Sequence, residues 1–378
     1  MQQTKINIKQ QDIKTLSFST QIDVIKKLAK SIQPVRYASS RNYKNGAVSK
    51  LGPYISRGVL STKILCDEIK ATGVSFAKAE KFIQELAWRD YWQQVWVAKG
   101  DLIFSDLKRK QEQVESYQIP EAIVDACTGV EAIDEGIKAL YQSGYMHNHM
   151  RMYVASIACN IARCHWSLPS KWMYYNLLDG DLASNILSWQ WVVGSNSGKK
   201  YYANQSNINN FFESNQRKTY LDCSYESFED LAIPTELKHT LTLNLETNLD
   251  NIPSDNIEPN RPTLIYNYYN LDPHWHQNED YQRVILLEPW LFEKFPVSQA
   301  CIDFLLNLSK NIEDVKFYVG DFKSLKQKIE NGSIVYKEHP LNTHYIGIEE
   351  NRDWLSSVTG YHKSFFSFWK YCKKEVVW

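Results

Sequence analysis

The stretch F-I-Q-E-L-A-W-R-D-Y-W, at positions 82–92, indicates the fold most clearly. It contains no glycine or proline, and its apolar residues recur at the spacing of an amphipathic helix. Four side chains share one helical face because they stand at i, i+3, i+4 and i+7: Glu85, Trp88, Arg89 and Trp92. A buried acid and base must be paired or must meet a polar ligand. The tryptophans have a simpler explanation than a functional site, which is that Trp92 and Trp96 pack in the core.

Two further helical stretches carry polar faces of the same kind. In M-H-N-H-M-R-M (146–152), helical spacing places Asn148, Arg151 and Met152 on one side. The two histidines between them stand at i and i+2, so they point to different sides of the helix and do not predict a zinc site.

The second of these stretches is L-D-G-D-L-A-S-N (178–185), followed by W-Q-W (189–191). Asp181, Asn185 and Trp189 line one helical face. Asp179 and Asp181 flank a glycine without a third acid at metal-ligand spacing, so we interpret them as partners for Arg151 or for donors on a ligand. No metal site is predicted.

The order of patterns predicts a mainly α protein, with an all-helical domain followed by a small α/β domain. Residues 19–215 are predicted to be helical, and the first helix is expected to begin at a hydroxyl N-cap within S-T (19–20). Four short β-prone runs alternate with helical patterns near the C-terminus, which is typical of a parallel sheet. The runs are 263–269, 283–287, 315–319 and 333–336, and the helical patterns are 298–310, 323–329 and 352–373. The predicted domains are 1–225 and 261–378, with a linker or irregular excursion at 226–260.

The charge of the chain is uneven although its net charge is zero. Residues 1–225 hold 28 basic and 20 acidic residues, and residues 226–378 hold 15 and 23. A basic first half suits a polyanion such as DNA, although the two halves could equally attract each other.

Several protein classes are not indicated by the sequence. No apolar run approaches the roughly 20 residues that a membrane helix needs. The N-terminus is polar and does not resemble a signal peptide. The seven cysteines form no CxxC pair and no group of four, which argues against disulfides and an iron–sulfur cluster. We therefore expect a cytoplasmic protein that does not associate with membranes.

Five motifs in this order resemble the photolyase/cryptochrome family over residues 19–215. They are E-L-A-W-R-D-Y (85–91), T-G-V-E-A-I-D (128–134), M-H-N-H-M-R-M (146–152), L-D-G-D-L-A-S-N (178–185) and W-Q-W (189–191). The stretch V-S-K-L-G-P-Y-I-S-R-G-V-L-S (48–61) is similar to the family's phosphate loop. The resemblance implies an all-helical domain that binds FAD.

The resemblance also assigns residues to the cofactor. The residues implied to contact FAD are Tyr37, Ser49, Leu51, Gly52, Arg89, Arg151, Asp179, Asp181 and Asn185. Within this set, Arg151 is expected to pair with Asp179 beside the isoalloxazine, and Asn185 is expected to face flavin N5. A charge beside N1 or N5 of the flavin decides which reduced form of the flavin is stable.

An electron relay is implied by Trp189 and Trp166, which match the inner and middle tryptophans of the family. The outer tryptophan is expected near Gln113, where this sequence has none. Two alternatives stay open: Tyr117 replaces it, or the relay leaves the protein elsewhere.

The substrate implied by the resemblance is DNA with pyrimidine dimers. Trp88 and Trp191 match the two indoles that clamp a flipped dimer. Glu85, Asn148 and Met152 match the groups that line that pocket, which is of the cyclobutane-dimer type. These residues favour light-driven repair by reduced flavin. The alternatives are a cryptochrome-like blue-light photoreceptor, and a flavoprotein used in non-photochemical redox chemistry or nucleic-acid binding.

The family's α/β antenna domain normally precedes the helical domain, and here an α/β segment follows it. We interpret residues 261–378 as a permuted or reduced antenna-like domain. Too few β-prone runs are visible for a five-stranded sheet, so the antenna chromophore is left unassigned.

Overall fold

The computed structural model describes residues 18–378, and these residues form two compact units. The first unit contains residues 36–48 and 101–245, and the second contains residues 18–35, 49–100 and 246–378. This division differs from the predicted domain boundaries because residues 49–100 group with the C-terminal sheet. The predicted boundaries stay a prediction.

The elements of the described residues are as follows in chain order. The α-helices are α1 (Ile22–Lys30), α2 (Pro34–Ser40), α3 (Gly52–Ser56), α4 (Thr62–Ala71), α5 (Phe76–Lys99), α6 (Glu121–Val124), α7 (Glu131–Ser143), α8 (Asn148–Ser156), α9 (Ser167–Asn176), α10 (Leu182–Val192), α11 (Gln205–Phe212), α12 (Pro289–Lys294), α13 (Gln299–Ser309), α14 (Phe322–Ile329) and α15 (Phe365–Val376). The strands are β1 (Ile119–Pro120), β2 (Thr240–Leu241), β3 (Thr263–Tyr266), β4 (Gln282–Leu287), β5 (Val315–Val319), β6 (Ile334–Lys337) and β7 (Ile348–Glu350). The predicted fold class, mainly α with a small α/β part, is confirmed.

In the first unit, the turn between α7 and α8 lies close to the loop before α10. Gly144 ends α7 in the left-handed conformation, with φ of +66°. A Cβ at this position would lie 2.4 Å from Cγ of Leu178, and the carbonyl of Gly144 accepts the N–H of Leu178 at 2.9 Å. Glycine is therefore required both by the backbone and by the close approach. The contact fixes the loop that carries Asp179 and Asp181.

In the second unit, five parallel strands form one sheet in the order β5-β4-β3-β6-β7. The runs T-L-I-Y and Q-R-V-I-L-L of β3 and β4 are buried throughout, as expected for strands covered on both faces. The four predicted runs are confirmed as β3 to β6. The expectation of too few strands is wrong, because β7 adds a fifth strand. Its sequence, I-E-E, is mostly exposed at the sheet edge and gives no apolar signal.

The C-terminal helix α15 packs against α5 within the second unit. Asp90 of α5 accepts the N–H of Leu355 at 2.7 Å and the hydroxyl of Thr62 at 3.0 Å. The segment before α15 is therefore held in an irregular conformation. The predicted helix at 352–373 is correct only from Phe365 onward, after the N-cap Ser364.

The N-terminus of α1 is capped by a residue that is distant in sequence. The N-cap is Gln21, which makes no side-chain capping bond. Asn311 instead accepts the N–H of Ile22 at 3.0 Å and donates to the carbonyl of Thr20 at 2.7 Å. The predicted hydroxyl cap is thus wrong, because a tertiary contact supplies the acceptor.

Across residues 18–378, no helix combines the length and apolar character that crossing a bilayer requires.

Candidate functional site

An ion pair between α8 and the loop before α10 forms the polar centre of the first unit. Nη2 of Arg151 donates to both carboxylate oxygens of Asp179, at 2.9 and 2.8 Å, and its Nε donates to the carbonyl of Met146 at 2.9 Å. Asp179 is only 9% exposed. Such a charge-assisted pair keeps two ionised groups in a protected position. The predicted pairing of Arg151 with Asp179 is confirmed.

The first turn of α10 adds three polar side chains. Asp181 is the buried N-cap and accepts the N–H of Ser184 at 2.7 Å. Asn185 donates Nδ2 to the carbonyl of Ser170 at 2.9 Å, an orientation that directs its Oδ1 away from that bond. The hydroxyl of Ser184 is buried and has no hydrogen-bond partner among the described residues. A ligand with polar groups would satisfy such an atom.

Gly180 stands between these two acids, at a point where the backbone leaves no space for a side chain. A Cβ there would lie 2.9 Å from the carbonyl oxygen of Leu177 and 3.1 Å from the ring of Tyr174. The chain therefore turns tightly between Asp179 and Asp181, which lets both carboxylates belong to one short loop.

The second unit contains the predicted phosphate loop. Nη1 of Arg89 donates to the hydroxyl of Ser56 at 2.9 Å, which joins α5 to the end of α3. Leu51 is buried and Gly52 begins α3. The N–H of Leu51 approaches the Ser49 hydroxyl at 3.4 Å, a weak interaction.

Tyr37, the remaining predicted cofactor residue, lies half-buried on α2.

The predicted lesion residues of α5 have partners within the second unit. Glu85 forms an ion pair with Lys81 at 3.0 Å. The indole of Trp88 stacks on the ring of Phe365, with centroids 3.9 Å apart and planes 9° apart. Trp92 and Trp96 are buried, which confirms the core alternative for both.

The predicted lesion residues of the first unit lie on α8 and α10. Asn148 begins α8 and is exposed, Met152 is half-buried, and Trp191 is 36% exposed. The ring of Tyr201 lies 6.0 Å from that of Trp191. Burial raises the pKa of Tyr201 to about 12, so this ring presents a neutral hydroxyl.

The two histidines of the M-H-N-H motif are structural. Nδ1 of His147 accepts the N–H of His149 and caps α8. Ring atoms of His149 contact the carbonyl of Asn42 and the hydroxyl of Tyr201. Burial lowers the pKa of His147 to about 4 and also lowers the pKa of His149. Among residues 18–378, no three metal-ligating side chains are close enough to hold a metal ion.

The two predicted relay tryptophans are buried in the first unit, and an aromatic path leads from one of them to solvent. Nε1 of Trp166 donates to Oδ1 of Asp106 at 2.7 Å. The ring of His165 lies 5.4 Å from that of Trp166 and stacks on Tyr117 at 4.9 Å. Tyr117 is 66% exposed. Asp106 and His165 gave no signal in the sequence.

Residues 82–221 match the family described as the FAD binding domain of DNA photolyase. This segment is therefore similar to a photolyase FAD-binding domain. It includes the predicted site residues from Glu85 to Trp191, whereas Tyr37 and the residues of the phosphate loop lie outside the match.

Curated relatives of the chain share the same stretch. The chain is 31% identical over 150 residues to a deoxyribodipyrimidine photo-lyase of Streptomyces griseus, covering 39% of this chain and 32% of the relative. It is 31% identical over 169 residues to a deoxyribodipyrimidine photo-lyase of Thermus thermophilus, covering 42% and 38%. It is 28% identical over 166 residues to a cryptochrome DASH of Gloeobacter violaceus, covering 42% and 33%. The chain thus spans about a third of the length of these relatives.

Two solved structures also align with part of this chain, with lower sequence identity than the relatives above. A cryptochrome of Synechocystis sp. PCC6803 aligns with a TM-score of 0.46 and 24% identity, over 52% of this chain and 44% of that one. A class III photolyase of Agrobacterium tumefaciens aligns with a TM-score of 0.42 and 22% identity, over 50% and 43%.

Proposed function

We propose that this protein binds FAD and uses the reduced flavin in light to split cyclobutane pyrimidine dimers in DNA. The observation that carries the proposal is the part-buried Arg151–Asp179 pair, in the segment that matches the photolyase FAD-binding family and also contains Asn185. The pair and the amide are the kinds of groups that set the charge and hydrogen bonding around a flavin ring.

The residues of the first unit suit such a cofactor. Ser184 presents a buried hydroxyl without a partner among the described residues, and Asp181 fixes the start of the same helix. Gly180 keeps the adjacent loop tight. A polar ligand at this loop would satisfy the orphaned hydroxyl without rearranging α10.

Each of these side chains has a separate task in the proposal. FAD, when bound and reduced, supplies the electron that light drives into the dimer. Asn185 offers Oδ1 to an N–H group because its Nδ2 is already committed to Ser170. Arg151 balances the charge of Asp179 and holds it in place.

In the second unit, Arg89 and the hydroxyl-bearing loop from Ser49 to Ser56 would bind the anionic part of the cofactor.

The substrate side of the proposal depends on aromatic faces. Trp191 in the first unit and Trp88 in the second are partly exposed indoles, and stacking of a base on such a ring contributes about 1–3 kcal/mol. Met152 and Asn148 add a polarisable and a polar group on α8. These residue types suit a flipped, uncharged pyrimidine pair.

Electrons to reduce the flavin would enter at the exposed Tyr117 and pass inward through Trp166 and Trp189, so that Tyr117 is left oxidised. The Asp106 carboxylate already accepts the Nε1–H of Trp166, so it stabilises that indole when the ring loses an electron. Tyr117 reaches solvent, where its phenolic proton is released to water upon oxidation. The route replaces the expected outer tryptophan near Gln113.

An antenna-like fold for residues 261–378 is supported by the parallel sheet, whose strand order reverses between β3 and β6. Doubly wound sheets bind ligands at such a switch point. Here His339 follows β6, is buried, stacks on Tyr269 and contacts the edge of Trp96. Because side chains of the protein fill this position, we propose no second chromophore there.

A blue-light photoreceptor is the second candidate, and one observation favours it. Phe365 covers one face of Trp88, so that face of the indole is not open to a base. A photoreceptor would reduce its flavin in light without repairing a dimer.

Repair of a defined oligonucleotide distinguishes the two candidates. Protein reduced with dithionite and illuminated with a thymine-dimer oligonucleotide should lose dimer in proportion to light dose. A protein that binds and reduces FAD but leaves the dimer intact would be a photoreceptor.

A further inference from the structure

Helix α15 has two faces of opposite character. Its buried face consists of Phe365, Phe368, Trp369, Cys372 and Val376. The other side is exposed and consists of Phe366, Ser367, Lys370, Tyr371, Lys374 and Glu375. A helix at the surface normally exposes polar side chains, so the two aromatic rings on this face are unusual.

The ring of Phe366 is the most exposed of these aromatic groups. It is 70% exposed, and Tyr371 is 49% exposed on the following turns. Phe365 anchors the position of its neighbour, because its own ring is buried against Trp88. Phe366 therefore projects into solvent from a fixed backbone.

The exposed face of α15 is also basic, although residues 226–378 are acidic as a whole. No Asp or Glu occurs between Trp354 and Lys374. Within α15, Lys373 is paired with Glu80 at 2.6 Å, and Glu375 accepts the N–H and hydroxyl of Ser357.

Lys370 and Lys374 lie on this face, and the one exposed acid of α15, Glu375, is already engaged by the N–H and hydroxyl of Ser357. The two lysines stand one turn apart, about 6 Å along the helix axis. Single-strand phosphates repeat at about 3.4 Å or more along the strand axis, so two lysines at this spacing can follow one strand.

The position of α15 connects this face to the proposed substrate site. Phe365 stacks on Trp88, and Phe366 follows it directly in the first turn of α15. The exposed face of α15 thus begins one residue after the ring that stacks on Trp88.

We propose that the exposed face of α15 binds the DNA strand that flanks the dimer, with Phe366 stacking on a base and Lys370 and Lys374 contacting phosphates. This inference rests on the proposed function. DNA fits better than an apolar partner because interleaved aromatic and basic side chains are the pattern of single-strand contacts. A membrane surface and a second copy of the chain are treated as outcomes of the test.

Binding of FAD-loaded protein to a fluorescent single-stranded thymine-dimer oligonucleotide tests the proposal by anisotropy over a salt series. Phe366→Ala and Phe366→Leu should each weaken binding by roughly 5- to 10-fold, because leucine keeps apolar surface but offers no aromatic face. The double variant Lys370→Gln/Lys374→Gln should lower the slope of log affinity against log salt by about 1.4. The matched control, Lys323→Gln/Lys326→Gln on α14, removes the same charge elsewhere and should leave affinity and slope unchanged.

Three results would overturn the proposal. In the first, all α15 variants keep the DNA affinity and the salt slope of the wild type. In the second, the Phe366→Leu variant binds DNA as tightly as the wild type, which would indicate a purely apolar contact. The third is a set of α15 variants that bind DNA like wild type but no longer bind phosphatidylserine vesicles, or no longer form a protein homodimer in light scattering.

Failure of the proposed function is a separate result. If wild-type protein binds no dimer DNA, both proposals fall. If wild type binds and repairs the dimer while the α15 variants match it, only the role of α15 falls. Repair per absorbed photon at saturating DNA should be the same in wild type and the α15 variants.

Discussion

The indole of Trp88 and the phenyl ring of Phe365 lie parallel, 3.9 Å apart, although one belongs to α5 and the other to the C-terminal helix α15. Phe365 is 2% exposed, so the stack is part of the core of the second unit. The geometry fixes the plane of Trp88, whose ring also lies 5.1 Å from that of Trp92. A residue proposed for DNA repair is therefore positioned by the part of the chain that follows the sheet.

Removal of the Phe365 ring should destabilise the second unit and release Trp88. Phe365→Ala creates a cavity and is expected to lower the free energy of unfolding by about 3–5 kcal/mol. Phe365→Leu refills most of the volume and should cost less than about 1.5 kcal/mol. Urea unfolding followed by circular dichroism measures both values, and equal losses in the two variants would show that packing volume does not matter here.

Replacement of Arg151 should weaken FAD binding. Arg151→Met removes the cation from a part-buried pair with Asp179, and losing a hydrogen bond to a charged group costs about 1.5–3 kcal/mol. Arg151→Lys keeps the charge but cannot reproduce both the Asp179 and the Met146 contacts, so its loss should be smaller. FAD affinity is measured by quenching of flavin fluorescence.

Arg163→Lys is the matched control for Arg151, because Arg163 forms an ion pair with the exposed Glu115. It should bind FAD with wild-type affinity. Wild-type affinity in Arg151→Met would remove this pair from the proposed cofactor site.

The electron route predicts a split between photoreduction and repair. Trp189→Phe and Tyr117→Phe should both slow the light-driven reduction of oxidised flavin, because each removes an oxidisable ring from the path. Dithionite-reduced samples of both variants should repair dimers at nearly the wild-type rate. Flavin absorbance under illumination measures the first quantity, and dimer loss measures the second.

Tyr225→Phe offers a control for the route, since this tyrosine is also exposed in the first unit but stands apart from the path through His165. If it slows photoreduction as much as Tyr117→Phe, the assignment of Tyr117 as the entry point for electrons is wrong. Equal loss of repair and photoreduction in Trp189→Phe would contradict its role as a relay residue.

Asp90 should make stability depend on pH in an identifiable window. Burial raises its pKa to about 6, against hydrogen bonds from Leu355 and Thr62 that lower it. The folded state thus binds this proton more tightly than the unfolded state, whose pKa is about 3.9. The stabilisation is fully present below the unfolded pKa and is lost as pH rises through about 6.

The contribution of Asp90 to the free energy of unfolding should fall by about 3 kcal/mol between a pH below its unfolded pKa and a pH above its folded pKa. Asp90→Asn should remove it, so the difference in unfolding free energy between wild type and variant should change between about pH 4 and pH 7. A difference that is constant over this range would show that Asp90 does not titrate there.

Much of this fold could be predicted because apolar spacing is a local property. The strands β3 to β6 and the helix α5 have continuous or periodic apolar patterns that no neighbour needs to supply. The strand β7 gives no such pattern, because an edge strand with the sequence I-E-E buries little and owes its position to pairing with β6.

The remaining differences have tertiary causes. Asn311 caps α1 from a distance, and Asp90 holds Leu355 where periodicity predicted a helix. The same limit applies to the candidate site. The pairing of Arg151 with Asp179 could be expected from a family motif, whereas the stack of Phe365 on Trp88 joins segments that no motif connects.

Dimer loss from a thymine-dimer oligonucleotide, in the presence of FAD-loaded and fully reduced protein under blue light, tests the central claim most directly. The account predicts restored thymines that increase with light dose, no change in a sample kept dark, and a strongly reduced yield in Trp191→Ala. Intact dimers after illumination, with the flavin bound and reduced, would contradict it.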